Sequence, residues 1–76
     1  MAPLPYALRA HERAEAVLRA CITDSHQRGD AFVFIGKCHT NGHGVAWIRG
    51  GRLEVKFYPC ETGARFAFQN AKRAGR

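Results

Sequence analysis

The chain has 76 residues, a formal net charge of +6 and 46% hydrophobic residues. That length allows one domain with a small core, and that apolar fraction argues against wholesale disorder. No stretch is long and apolar enough to read as a membrane-spanning helix, so a membrane partner is not expected.

Lys and Arg number 12 against 6 Asp and Glu. Such a balance favours polyanionic partners, of which nucleic acid and an acidic protein surface are the leading two. Solubility alone also accounts for a charge of this size. The three cysteines, Cys21, Cys38 and Cys60, are odd in number and lack a Cys-x-x-Cys spacing. They point to a reducing, cytoplasmic setting rather than a secreted disulfide framework. Residues 1–5 have neither a basic segment nor an apolar one, so no signal peptide is expected.

In chain order, residues 1–5 read as a short lead-in, with Pro5 suited to a first helical turn. Residues 6–26 are rich in Ala, Leu, Arg and Glu and predict a helix. Ala14, Val17, Leu18, Cys21 and Ile22 fall at helical spacing and form one apolar stripe, extended upstream by Ala7 and Ala10. Arg9, Glu12, Arg13, Glu15 and Arg19 take the other side. His11 and His26 read as surface residues of that helix, and Gly29 as its stop.

Residues 31–38 are β-branched and aromatic and predict a strand that is apolar on both faces. Asn41-Gly42 signals a tight turn. Centred there, it pairs Ile35 with Ile48, Phe34 with Arg49 and Gly36 with Trp47. Residues 44–58 then read as a hairpin around Gly50-Gly51, because both central residues of a type I′ turn need positive φ. That turn places Arg49 opposite Arg52, Trp47 opposite Glu54 and Ala46 opposite Val55. Pro59 ends the strand. Residues 65–69 predict a short fourth strand, with a C-terminal helix as the alternative, and residues 70–76 a frayed basic tail. The expected fold is α+β: one single small domain over 1–76, with an N-terminal amphipathic helix on a three- to four-stranded antiparallel meander.

Combining the registers gives two faces. One carries Val33, Ile35, Ala46, Ile48, Leu53, Val55, Phe57, Phe66 and Phe68, and the helix stripe is its natural cover. The other mixes rings and cations. Its candidate binding residues are Phe34, Trp47, Arg49, Arg52, Lys56, Tyr58 and Arg65, with Phe32 and Glu54 on the same side. Aromatic side chains among arginines on an open sheet suit single-stranded nucleic acid, because bases stack on rings and guanidiniums meet phosphates. Plain structural pairing across an outer sheet face would use the same residues.

Val33-Phe34-Ile35-Gly36-Lys37-Cys38 is similar to the short first-strand motif of RNA recognition motif domains. Arg65-Phe66-Ala67-Phe68 resembles part of their longer aromatic motif. That family places a helix between its first two strands, where this chain places a hairpin, so no residue role carries over. The order of a helix, three strands and a C-terminal helix also resembles double-stranded-RNA-binding folds, without a motif match.

Cys38, His39, His43 and Cys60 fall towards one end of the sheet and form a candidate zinc cluster, though at no standard ligand spacing. The same group offers a Cys–His pair with no orienting acid, so no catalytic residues and no cofactor are expected. Three functions follow, none of them enzymatic. The first is an RNA- or single-stranded-DNA-binding module. The second is a small phage or mobile-element protein, anti-CRISPR-like, that inhibits a host complex by protein–protein binding. The third is a homodimer built through an edge strand or the aromatic face.

Overall fold

The computed structural model of the chain describes residues 3–74, with side chains over residues 9–73. Its elements run α1 (Pro3–Leu18), β1 (Ala20–Arg28), β2 (Ala31–Cys38), β3 (His43–Arg49), β4 (Arg52–Tyr58) and α2 (Glu61–Ala74). The strands form one antiparallel meander in the order β1-β2-β3-β4. One helix lies on each face, so the fold is α+β in three layers. Among the described residues no helix is long and apolar enough to cross a membrane.

Pro3 and Pro5 sit in the first turn of α1, where missing N–H donors cost nothing. The lead-in expected over residues 1–5 is therefore helical from Pro3, and residues 1–2 lie outside the described residues. The helix stops at Leu18, well short of residue 26. Arg19 takes φ +51° and its N–H donates to Glu15 O at 2.7 Å, a left-handed cap. Beyond it, Ile22, Thr23, Asp24 and Ser25 are poor helix formers, and the segment pairs with β2 as an edge strand. The helical spacing of Cys21 and Ile22 was coincidental: Cys21 is exposed. Gly29 is no helix stop. It takes φ +62° as the first central residue of the two-residue turn between Arg28 and Ala31.

The β3–β4 register is the expected one, with Arg49↔Arg52, Trp47↔Glu54 and Ala46↔Val55. Gly50 and Gly51 take φ +56° and +78°, as their turn requires. The β2–β3 register is not the expected one. Ile48 faces Phe32 rather than Ile35, a slip of three residues. Asn41 does not adopt positive φ, so Asn41-Gly42 is not a type I′ turn. The reversal is wider, over residues 39–42, and Cys38 N–H donates to Gly42 O at 2.7 Å. An odd slip turns every β2 side chain over relative to β3.

Two cores result. On the α1 face, Ala10, Ala14 and Leu18 pack on Phe32, Phe34, Cys38, Ala46 and Ile48. Leu18 is fully buried over the paired glycines Gly36 and Gly44. A Cβ on Gly44 would sit 2.5 Å from Leu18 Cδ2, and one on Gly36 would sit 2.8 Å from Cys21 O and 3.3 Å from Leu18 Cδ1. The glycine pair is thus a socket for the last helical side chain. Its carbonyl, left without a helical partner, accepts from Cys38 Sγ at 2.9 Å.

On the other face, Ala64 and Phe68 of α2 pack on Val33, Ile35 and Val45. The segment expected as a fourth strand over residues 65–69 is part of this helix. Ala64 N–H donates to Cys60 O at 3.3 Å to start it. Ala64, Ala67, Phe68 and Ala71 fall at i, i+3, i+4 and i+7, so Phe68 is buried while Phe66, two residues away, is 70% exposed. The frayed tail expected over residues 70–76 is helical through Ala74, and residues 75–76 lie outside the described residues.

Candidate functional site

The hairpin brings its predicted residues together. Trp47, Arg49, Arg52, Lys56 and Tyr58 alternate onto one side of β3 and β4, the side that α2 partly covers. Arg49, Arg52 and Lys56 are exposed, while Trp47 and Tyr58 are half-buried and touch the α2 core. Arg13 of α1 donates to Gly51 O at 3.4 Å, which ties the glycine tip to the first helix.

Two of the predicted residues do not belong there. Phe34 is 2% exposed and lies on the α1 face, where His11 meets it edge-on at 5.9 Å between ring centroids. The slip in the β2–β3 register put it there, so no ligand can stack on it. Arg65 is exposed on α2, next to Glu61 at 3.6 Å on the same helix, and is not on the sheet. Phe32 likewise faces α1, stacked with Phe34 at 6.0 Å.

Their places are taken by residues that the sequence assigned elsewhere. The register of β1 slips between Ile22 and Asp24, and Thr23 Oγ1 donates to Ile35 O at 3.2 Å there. That one-residue irregularity re-aims the rest of the strand. His26 then lies opposite Val33 and Arg28 opposite Ala31, on the same face as Trp47. Rows therefore cross the sheet. His26, Val33, Trp47 and Glu54 form one, and Arg28, Ala31, Arg49 and Arg52 form the next, towards the two tight turns.

Between these rows and the C-terminal half of α2 lies an open cleft of about 380 Å³. Trp47 and Tyr58 give it aromatic walls, and Ala67 and Ala71 a low apolar roof. Arg28, Arg49, Lys56 and Lys72 bring cations to its margin, with His26 and Asn70 as further polar groups. Among the described residues no Asp or Glu lines it. Lys72 Nζ lies 5.2 Å from the centroid of Phe68, a cation–π contact on the same helix. Lys72 and Arg73 also offset the negative C-terminal end of α2. A second depression is lined by Trp47, Arg49, Arg52 and Glu54.

The candidate zinc residues do not converge. Cys38 is buried in the α1 core, and its thiol is engaged with Leu18 O. Burial pushes the Cys38 thiol pKa above its ordinary value, which holds it in the protonated form that donates. His43 lies on the opposite face, level with Tyr58, and His39 and Cys60 are exposed. Among the described residues no group of three or more His, Cys, Asp or Glu side chains is placed to hold a metal ion.

Compared with family models, curated proteins and solved structures, the chain matches none.

Proposed function

We propose that this chain is a non-catalytic nucleic-acid-binding module that takes single-stranded RNA or DNA on the α2 side of its sheet. The observation that carries this function is the cleft beside the arginine row. A half-buried indole stands among Arg28, Arg49, Lys56 and Lys72, and no acid lines the space among the described residues. Bases are held by rings through stacking, and backbones by cations that displace condensed counterions. The exposed free thiols Cys21 and Cys60 fit a reducing cytoplasm as the working compartment.

A fluorescence-anisotropy titration with short unstructured oligonucleotides at low salt tests the proposal. Binding is expected, with log K falling as log salt rises by about 0.7 per phosphate neutralised. Arg49→Ala should lower that slope by about 0.7. No binding to any RNA or DNA oligonucleotide at low salt overturns it.

A second function, inhibition of a host complex by protein docking, is favoured by Phe66. It is 70% exposed on the outer side of α2, next to Arg65, and contributes nothing to the core. Aromatic and arginine side chains are the ones that dominate protein interfaces. Phe66→Ala should then abolish capture of a nuclease-resistant partner while leaving oligonucleotide binding unchanged. Homodimerisation is a further partner state, and sedimentation equilibrium at two concentrations distinguishes it from a monomer.

A further inference from the structure

We infer that the cleft between α2 and the sheet is a pocket for one unstacked nucleotide, with its base against Trp47 and its phosphate among the cations at the rim. This rests on the single-strand function proposed above and adds to it a discrete subsite and a ligand class.

The roof of the cleft defines the ligand's shape. Ala64 and Phe68 bring α2 down onto Val33, Ile35 and Val45, so the helix is anchored. Beside Phe68, the apolar helix residues that line the cleft are small. Ala67 and Ala71, one turn apart, present only methyl groups over the cleft. The gap beneath them is an open cleft between a helix and a sheet, with an indole in its wall. Its volume suits a base already out of its stack rather than a run of stacked base pairs. At about 380 Å³ the space lies at the small end of ligand pockets, which suits one nucleotide rather than several.

The polar groups match that occupant. Arg28 and Arg49 flank Ala31 across the sheet, and Lys72 enters from the helix. Cations on both the sheet side and the helix side of the cleft favour an anionic group within it. Asn70 and His26 each offer hydrogen-bonding atoms suited to the edge of a base. An uncharged apolar ligand would leave this ring of cations unused, and a bare anion would leave the aromatic wall unused. A nucleotide uses both.

The single tryptophan is a built-in reporter. A nucleoside 5′-monophosphate should quench Trp47 fluorescence saturably, and inorganic phosphate at the same concentration should not. Ala71→Leu fills the cleft and should weaken nucleotide binding about tenfold or more, the scale of one lost base stack. Circular dichroism checks that this variant is folded. Should it fail to fold, Lys72→Ala serves instead and should weaken the nucleotide several-fold. Saturable quenching that either folded variant reduces supports the pocket. Oligonucleotide binding without any response to the mononucleotide overturns the pocket and leaves the single-strand function standing. A mononucleotide response without oligonucleotide binding supports the pocket and removes the single-strand function. Equal responses to phosphate and nucleotide, or unchanged affinity in both variants, overturn the pocket.

Discussion

On the α1 side of the sheet, Ala10, Ala14 and Leu18 pack on Phe32, Phe34, Ala46 and Ile48, all of them buried. On the α2 side, Ala64 and Phe68 close over Val33, Ile35 and Val45, and then the contact opens onto Trp47 and the arginine row. Both faces are built on the same four strands, and both helices use alanines at their contacts. The difference is what each alanine faces. Under α1 small alanines meet the large Phe32 and Phe34 rings, and the large Leu18 meets two glycines, so large and small side chains interlock. Under the end of α2 the small side chains lie over a half-buried indole and long cations, which leave a cleft.

Breaking the buried face should have the largest effect. Leu18→Ala removes the fully buried side chain that fills the glycine socket and should cost about 2–5 kcal/mol in urea unfolding. A loss below about 1 kcal/mol would mean that the socket collapses freely. Gly44→Ala approaches the same contact from the other side. Its Cβ would meet Leu18 Cδ2 at 2.5 Å and the Phe57 ring at 3.2 Å, so a loss of about 1–3 kcal/mol is expected. Leu18→Ala in the same chain should relieve part of that loss, and a double-mutant cycle reads the coupling. Simple additivity would show that the two do not share a socket. The smallest effect belongs to the open face. Arg28→Ala should change stability by no more than about 0.5 kcal/mol, as exposed substitutions do, while weakening oligonucleotide binding. A large drop in melting temperature would move Arg28 from the ligand to the fold.

The parts of this design differ in how visible they are in the residues. The β3–β4 pairing was legible because Gly50-Gly51 admits a turn that other residues resist, and alternation on both sides agrees with it. The sharing of one face by Trp47, Arg49, Arg52 and Lys56 follows directly. The end of α1 was partly legible. The run from Ile22 to Ser25 disfavours helix, but the coincident spacing of Cys21 and Ile22 outweighed it. For α2, Phe66-Ala67-Phe68 imitates strand alternation, whereas the stripe Ala64, Ala67, Phe68 and Ala71 carries the helical period over a longer span. That longer period was the signal available to find Lys72 and Asn70 as members of an ordered element.

The face on which β2 presents Phe32 and Phe34 was not legible at all. Register is selected by hydrophobic pattern only where one face of a strand is polar. From Phe32 to Ile35 the strand is apolar on both sides, so turning it over exchanges Phe32 and Phe34 for Val33 and Ile35 at little difference in burial. The observed face goes with a wide turn over residues 39–42 and with a contact far apart in the chain, the seat that Gly36 and Gly44 together offer Leu18. The slip at Thr23 belongs to the same class, because an extra residue in a strand is defined only against its partner. By itself, then, the sequence determined the α+β class, the hairpin and which hairpin residues share a side, since these rest on local backbone preference and short-range periodicity. Only the tertiary structure decided that His26, Arg28 and Lys72 join Trp47 while Phe34 and Arg65 do not, since that depends on packing between elements that both faces would have accepted.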